Sequence, residues 1–156
     1  MAMEIERKFL VINNDWKKGN PDGSLYCQGY FSADASSCVR IRLGDDRGWI
    51  TIKKHKGDLT RLEYEYEIPL NDAAEMLDEL CHKPLIEKTR YKILYDTRIW
   101  EIDVFSGENQ GLVVAEIELR NIGDVFSKPS WLGEEITHDP RYLNVNLVNH
   151  PFCRWD

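Results

Sequence analysis

The sequence is poor in the features that mark zinc-binding, membrane and nucleic-acid-binding proteins. Its four cysteines include no Cys-x-x-Cys pair, which disfavours a zinc site. Its apolar runs fall short of the roughly 18 residues that a membrane-spanning helix needs, and charged residues rather than an apolar stretch follow Met3. Acidic residues outnumber basic ones by 27 to 20, which disfavours nucleic-acid binding through a generally basic surface. We therefore expect a cytoplasmic protein with reduced thiols and with no membrane or nucleic-acid partner.

A chain of 156 residues, 42% of them hydrophobic, is long enough to bury one core. We expect a single domain over residues 1–156, because cores of roughly 100–150 residues are the commonest size. Met1 and Ala2 are compatible with a cloning addition before a native start at Met3, a point that the sequence leaves open.

Alternation of polar and apolar residues with a period of two is the main pattern in the chain. It is typical of β-strands whose two faces meet different environments. It predicts eight strands, at residues 3–11, 25–31, 38–43, 49–54, 63–68, 88–95, 100–105 and 113–119. Short turns rich in Gly, Asn and Asp separate several of these strands, which favours antiparallel pairing.

Two helical segments are predicted outside these strands. Residues 71–82 form an amphipathic pattern, with Asn71 or Asp72 as the cap of the first turn. Its apolar stripe comprises Ala73, Met76, Leu77 and Leu80. We expect a second, short helix in the tail between residues 137 and 149, capped by Asp139.

The charges on the predicted strands are sorted by sign. Glu4 and Glu6 share one strand face, and Arg40 and Arg42 share a face of a later strand. A solvent-facing strand ordinarily mixes both signs, because like charges that are neighbours on one face repel. Faces that repeat a single sign on strand after strand therefore indicate a bound ligand.

If these faces point into a closed barrel, they define one charged cavity. The inward acids are then Glu4, Glu6, Glu63, Glu65, Asp103, Glu116 and Glu118, and the inward bases are Lys8, Arg40, Arg42, Lys53, Lys88 and Arg90. We expect Glu67, Glu101 and Lys92, toward the strand ends, to be solvated. The predicted fold is α+β and mainly β: a closed antiparallel eight-stranded barrel, or tunnel, with a few outer helices.

The residue types of this cavity suit a metal ion together with a polyphosphate. Carboxylates without histidine or cysteine favour Mg²⁺ or Mn²⁺ over zinc. Arginines on one strand face suit phosphate oxygens, because the guanidinium donates two parallel hydrogen bonds.

An ordered series of segments carries a resemblance to a known family. The segment MEIERKFLV resembles the Glu-x-Glu-x-Lys opening of the CYTH proteins, also called triphosphate tunnel metalloenzymes. Further segments resemble the family in the same order: CQGYF, VRIRL, TIK, RLEYEYEIP, EKTRY, WEIDVF, VVAEIEL, WLGEEIT and DPRYLN. The chain is most similar to the small bacterial-type inorganic triphosphatase group.

The resemblance implies a tunnel that binds a triphosphate and a divalent metal and hydrolyses the terminal phosphoanhydride. It implies that the inward acids given above, Asp103 included, bind metal and that the inward bases bind phosphate. As catalytic residues we predict Lys8, Tyr30, Lys88, Glu63 and Glu65. One of the two glutamates orients the attacking water, and Tyr30 contacts a phosphate or pairs with Lys8 or Lys88.

Several functions remain open within this resemblance. Hydrolysis of inorganic triphosphate, a small-molecule substrate, is the preferred prediction. The alternatives are a class IV-type adenylate cyclase, a thiamine or nucleoside triphosphatase, and a non-catalytic polyphosphate or nucleotide-binding module. Nothing in the sequence identifies an adenine pocket, and a pure binder has less need of so many carboxylates. The oligomeric state is open too, with a homodimer as one option.

Overall fold

A computed structural model of the protein describes residues 3–33, 37–57 and 59–156. The strands in these residues are β1 (Met3–Val11), β2 (Gly23–Ala33), β3 (Ser37–Gly44), β4 (Arg47–His55), β5 (Thr60–Ile68), β6 (Ile86–Tyr95), β7 (Arg98–Phe105), β8 (Val113–Glu118) and β9 (Leu132–Glu135). The helices are α1 (Leu70–Glu79) and α2 (Asn144–Asn149), with short 3-10 turns at Asp15–Lys17, Gly107–Asn109, Pro140–Tyr142 and Phe152–Arg154.

Strands β1 to β8 close into an antiparallel barrel. Around the ring the order is β1, β5, β4, β3, β2, β6, β7 and β8, and β8 pairs with β1 again. Each of these strands contains the corresponding segment predicted from period-two alternation, apart from Leu119, which follows the last strand. The predicted fold class, a mainly β tunnel with outer helices, is confirmed.

Strand β9 was not predicted, because four residues are too few to establish an alternation. It pairs with the end of β1, where Val11 lies opposite Leu132 and Phe9 lies opposite Glu135. One edge of β1 is thus shared by β5 at its start and β9 at its end. Between these two partners, the backbone of Lys8 forms hydrogen bonds with the segment that follows β9. Its N–H donates to Thr137 Oγ1 at 3.0 Å, and its carbonyl accepts from Ile136 N at 2.8 Å.

The hydrophobic core lies outside the barrel, because the inner strand faces are charged. One cluster covers β1, β7 and β8 and is built around Phe9, Trp100 and Trp131. The tail covers another part of the barrel, where Val145 and Leu147 pack among residues such as Ile86 and Phe105. Burial of apolar surface stabilises a fold by roughly 25 cal/mol per Å², so these outer clusters hold together a barrel whose interior is polar.

Helix α1 forms a third cluster over β3, with Ala73 and Leu77 buried against Ile41. Its approach depends on Gly48 of β4, where an added Cβ would lie 2.5 Å from the Cβ of Ala73. The predicted caps Asn71 and Asp72 are wrong: the helix begins at Leu70 after Pro69, with no side-chain capping bond. Its end is also earlier than predicted, and Leu80 is 53% exposed rather than part of the buried stripe.

The tail contains two short helical pieces in place of one continuous helix. Asp139 accepts a hydrogen bond from the backbone N–H of Arg141 at 3.1 Å, which confirms it as a cap. That cap serves only a 3-10 turn, because Leu143 is extended and separates the turn from α2. In the described part of the chain, no helix combines the length and apolar character needed to cross a membrane.

Candidate functional site

The barrel encloses a cavity of about 590 Å³ lined mainly by charged side chains. The strand alternation explains this lining, because residues at even spacing on one strand point to the same side. The predicted site residues that line it are Glu4, Glu6, Lys8, Tyr30, Arg40, Arg42, Lys53, Glu63, Glu65, Lys88, Arg90, Glu116 and Glu118. Asp103 is not among the lining residues.

The two signs of charge occupy opposite halves of the ring. The inner faces of β7, β8, β1 and β5, which we call the acidic arc, carry the carboxylates. The inner faces of β4, β3, β2 and β6, which we call the basic arc, carry most of the lysines and arginines. Each strand has mostly one sign, and the strand order places strands of like sign side by side.

Ion pairs connect the two arcs where β4 meets β5. Lys53 Nζ lies 3.7 Å from Glu4 Oε2 and 3.4 Å from Glu63 Oε2. One strand further along the ring, Arg40 Nη2 lies 3.3 Å from Glu65 Oε2 and donates to Thr51 Oγ1 at 3.2 Å. Burial and the neighbouring Arg40 and Arg61 lower the pKa of Lys53 to about 8, although Glu4 and Glu6 act to raise it.

The second junction, where β6 meets β7, is occupied by Asp103. Its Oδ2 accepts from Lys88 Nζ at 2.7 Å, and its Oδ1 accepts from Arg90 Nε at 2.7 Å. Burial alone acts to raise the pKa of Asp103, but these two cations hold it well below its ordinary value. The metal-binding role of Asp103 stays a prediction. In this structure both of its oxygens accept hydrogen bonds from bases, and Asp103 lies behind the residues that line the cavity.

In the middle of the basic arc, the guanidinium of Arg42 contacts neutral side chains rather than a carboxylate. Arg42 Nε donates to Gln28 Oε1 at 2.9 Å, and its guanidinium lies 4.7 Å from the ring centre of Tyr26. Burial, with Arg40 and Arg90 nearby, lowers the pKa of Arg42 to about 9. Arg40 Nε is buried without a hydrogen-bond partner among the described residues. This region would be stabilised by a bound anion.

Tyr26 reaches its place beside Arg42 because it lies opposite a glycine. Gly44 is its cross-strand neighbour on β3, and a Cβ at that position would overlap the tyrosine ring. The same ring lies 5.7 Å from the guanidinium of Arg90. Tyr26 therefore makes cation–π contacts with both arginines, which partly offset their mutual repulsion.

The acidic arc contains cations of its own. Arg61 Nη2 donates to Glu4 Oε1 at 2.7 Å and also to Glu6 Oε1. Burial acts to raise the pKa of Glu4, but Lys53 and Arg61 outweigh it and lower the value to about 2. Lys8 likewise lies in this arc, with its Nζ 3.6 Å from Glu116 Oε1.

Toward the cavity mouth, the acidic arc has negative charge in excess. Burial raises the pKa of Glu118, and Glu4, Glu6 and Glu101 raise it further. Among the described residues, no three carboxylate, histidine or cysteine side chains form a ready-made metal centre, and Arg61 contacts one oxygen of Glu4 and one of Glu6. The oxygen-only donor set with surplus negative charge fits a hard divalent cation.

Tyr30 is buried, and its hydroxyl accepts from Gln28 Nε2 at 3.2 Å. Burial raises its pKa, so the phenol is neutral. The predicted pairing of Tyr30 with Lys8 or Lys88 is replaced by this bond to Gln28. Lys88 instead donates to Asp103 and to Asn144, and burial, together with Arg90 and Arg42, lowers its pKa to about 7.

The cavity includes residues that the sequence interpretation missed. Arg61, Tyr26, Asn144, Glu101 and Lys92 line it as well. Glu101 was expected to be solvated, but it is half-buried and its Oε2 lies 3.2 Å from Arg90 Nη1. Lys92 is exposed at the cavity edge, and Glu67 is exposed as expected. The alternation along β5, β6 and β7 could have identified Arg61, Lys92 and Glu101, because each lies two residues from a predicted inward residue on the same strand.

A closed barrel with one acidic and one basic inner arc defines a tunnel protein for an anion and a cation bound together. Comparison with known families identifies it further: the CYTH domain family matches residues 2–151. The chain therefore belongs to the CYTH domain family. Membership implies dependence on a divalent metal.

Relatives cover almost the whole chain. An inorganic triphosphatase of Acetivibrio thermocellus is 51% identical over 152 residues, which is 97% of both chains. An inorganic triphosphatase of Nitrosomonas europaea is 38% identical, over 93% of this chain and 96% of that one. A crystal structure of an inorganic triphosphatase aligns with a TM-score of 0.68 and 35% identity, covering 95% of each chain.

Proposed function

We propose that this protein is a metal-dependent phosphoanhydride hydrolase that converts inorganic triphosphate and water into pyrophosphate and orthophosphate. The observation that carries the proposal is the sorting of charge inside one cavity. The basic arc contains Arg40 Nε, a buried nitrogen with no hydrogen-bond partner within residues 3–33, 37–57 and 59–156, and the acidic arc has carboxylates in excess. The relatives at 51% and 38% identity, both named inorganic triphosphatases, support the same substrate.

The basic arc binds the phosphate chain in this proposal. Arg40 and Arg42 offer planar donors on adjacent inward positions of β3, and Lys88 and Arg90 face them across β2. Guanidinium groups suit phosphate because they donate two parallel hydrogen bonds. The hydrogen-bond partner Gln28 and the ring partner Tyr26 of Arg42 are both neutral, so phosphate would supply a negative charge in direct contact with this guanidinium.

The acidic arc holds the divalent cation, with Glu4, Glu6, Glu116 and Glu118 as proposed ligands. When bound, Mg²⁺ or Mn²⁺ neutralises phosphate charge and lowers the pKa of a coordinated water. Arg61 contacts one oxygen of Glu4 and one of Glu6, so a cation would bind the second oxygen of each glutamate or compete with Arg61 for the first.

The remaining proposed roles concern water and the reacting phosphate. Glu63 and Glu65 lie on the cavity side of β5 and orient the attacking water through hydrogen bonds. Lys8 and Lys88 donate to phosphate oxygens and stabilise the charge that develops on the leaving pyrophosphate. Tyr30 is uncharged and fixes Gln28, the partner of Arg42.

A substrate panel tests the proposal. The purified protein is incubated with inorganic triphosphate, ATP or thiamine triphosphate, each with Mg²⁺, Mn²⁺ or EDTA. Orthophosphate, pyrophosphate and cyclic AMP are measured separately. We expect equal amounts of pyrophosphate and orthophosphate from inorganic triphosphate, weaker hydrolysis of ATP, and no turnover in EDTA. Intact inorganic triphosphate together with cyclic AMP from ATP would establish the cyclase alternative instead.

The domain organisation, the cellular location and the oligomeric state of the protein are predictions as well. We expect residues 1–156 to form a single domain, the protein to lie in the cytoplasm, and a homodimer to be one assembly to test. Light scattering during gel filtration measures the mass in solution and decides between monomer and dimer.

A further inference from the structure

Asn144 connects the C-terminal tail to the cavity. It is the first residue of α2, and its side chain lines the cavity beside the basic arc. Its Oδ1 accepts two hydrogen bonds, from Lys88 Nζ at 2.9 Å and from Gln28 Nε2 at 3.1 Å. The tail therefore contacts a predicted phosphate-binding lysine directly.

The network continues from Asn144 to Arg42 through Gln28. Gln28 is fully buried, and its Oε1 accepts from Arg42 Nε at 2.9 Å. The orientation of both amides follows from their partners, because lysine and arginine can only donate. Asn144 must turn its oxygen toward Lys88, and Gln28 must turn its oxygen toward Arg42.

Lys88 needs such a partner because its side chain is long and flexible. An ammonium group has three N–H bonds. Asp103 Oδ2 accepts one of them at 2.7 Å and Asn144 Oδ1 accepts another. With two directions fixed, the third N–H is available to a phosphate oxygen in a defined direction.

We infer that Asn144 is a positioning residue for the basic arc. Its acceptor oxygen holds Lys88, and through Gln28 it also supports Arg42, in the directions in which they contact the phosphate chain. The tail segment that contains Asn144 thus completes a site otherwise built from barrel strands. The inference rests on the proposed function, since it concerns the same phosphate-binding site.

The test compares an isosteric apolar variant with one that keeps an oxygen acceptor. Asn144→Leu removes the acceptor, whereas Asn144→Asp retains an oxygen for both donors. We expect Asn144→Leu to weaken binding of inorganic triphosphate about tenfold, measured by calorimetry in EDTA so that hydrolysis does not interfere. In the assay with Mg²⁺, we expect its kcat to fall more than tenfold and Asn144→Asp to retain at least five times as much activity as Asn144→Leu. Asn149→Leu and Asn149→Asp, on the exposed end of the same helix, are the matched controls and should leave both quantities unchanged.

A double-mutant cycle separates positioning from a general structural role. Because Asn144 contacts Lys88 directly and Arg42 only through Gln28, most of its effect should pass through Lys88. We therefore expect Asn144→Leu to weaken binding less than about twofold in a protein that already carries Lys88→Met. Additive losses, or an Asn144→Asp variant no better than Asn144→Leu, would overturn the inference. If Asn144→Leu does not fold, Asn144→Ser, whose shorter side chain withdraws the acceptor, replaces it.

The outcome for the wild-type protein distinguishes this inference from the proposed function. If the wild-type protein binds inorganic triphosphate without hydrolysing it, and the losses of binding in Asn144→Leu and Lys88→Met are not additive, positioning is supported and the hydrolase is refuted. A wild-type protein that hydrolyses it while the variants behave additively would refute positioning alone. Absence of both binding and hydrolysis would refute the two together.

Discussion

The acidic and basic arcs of the barrel have the same strand geometry but are neutralised in different ways. The acidic arc includes cations of its own, since Arg61 contacts Glu4 and Glu6 and Lys8 lies near Glu116. Among the described residues of the basic arc, no carboxylate points inward, and Arg42 is bonded to an uncharged amide. The basic arc pairs with carboxylates at its two junctions with the acidic arc, and its middle, at Arg42, is where an anion would add the most charge compensation. Within the acidic arc, Arg61 and Lys8 contact the carboxylates that a metal would bind.

This difference separates two kinds of mutational effect. A change in the acidic arc should act through the metal requirement, because its carboxylates are charged oxygen ligands of the kind that a divalent cation prefers. A change in the basic arc should act through recognition of the phosphate chain at any metal concentration. The following predictions order the variants by expected effect.

The largest effect is expected for Glu4→Gln. The amide keeps the shape of the carboxylate but loses the charge that a divalent cation requires. We expect metal-dependent hydrolysis to be abolished at ordinary metal concentrations, measured as phosphate release across a Mg²⁺ and a Mn²⁺ titration. The control is Glu67→Gln, an exposed carboxylate on the same barrel that pairs with Arg47. Full turnover by Glu4→Gln would contradict the metal assignment.

Arg42→Ala should cost about 10²–10³ in kcat/KM, or roughly 2.7–4 kcal/mol, as for other losses of charge stabilisation in a transition state. The reason is that phosphate is the missing counter-charge of this guanidinium. Unlike Glu4→Gln, this loss should persist when the metal concentration is raised. Arg47→Ala, which removes an exposed arginine from β4, is the control. If high metal concentrations restored the kcat/KM of Arg42→Ala, the two arcs would not differ in their dependence on metal, and the comparison would be contradicted.

Lys53→Ala should have a smaller effect, about tenfold in kcat/KM, comparable with the loss of one hydrogen bond to a charged group. Lys53 already contacts Glu4 and Glu63 across the junction of the arcs, so it is partly neutralised without phosphate. Steady-state kinetics on inorganic triphosphate measure the loss, and Lys56→Ala at an exposed position provides the comparison. A loss as large as that of Arg42→Ala would place Lys53 in the centre of the phosphate site.

The smallest effect on activity is expected outside the cavity, at Glu135→Gln. Glu135 accepts two hydrogen bonds from Arg7, and these bonds lower its pKa from 4.5 to about 2. Because the folded-state pKa is depressed, the ion pair stabilises the fold above pH 4.5, and that contribution is lost as the pH falls toward 2. We expect unchanged turnover and a loss of about 1 kcal/mol in unfolding free energy at pH 7. Denaturant titrations at pH 7 and pH 3 measure this, with Glu134→Gln as the control; an equal loss at both pH values would contradict the pKa assignment.

Strand periodicity predicted most of the cavity lining because alternation is a local property. Once Glu4 points inward, Glu6 and Lys8 must follow on the same strand. Arg61 was missed because the predicted strand began at Glu63, although both residues have the same parity. Asp103 shows what the alternation leaves open: it indicates the face of a strand, but not that Lys88 and Arg90 donate hydrogen bonds to this side chain.

Contacts between distant segments could not be predicted in this way. The position of Asn144 depends on how the tail folds against β2 and β6, and no periodic pattern marks a single polar residue at the start of a short helix. The same applies to β9, whose four residues form a strand only because the edge of β1 is available. The order of strands around the ring, which produces the two arcs, likewise depends on pairing between distant parts of the chain.

The pairing of β1 has a consequence for folding. Its residues contact partners far along the chain: Glu4 is 57 residues from Arg61, and Arg7 is 128 residues from Glu135. The barrel cannot close until β8 has been synthesised, at about 5–20 residues per second, because β8 is the partner that joins the ring back to β1. Pairing between such distant residues slows folding, because the entropy of closing long loops is lost before the contacts form. In that interval the edge of β1 that pairs with β8 has no partner, and an unpaired strand edge is exposed to aggregation.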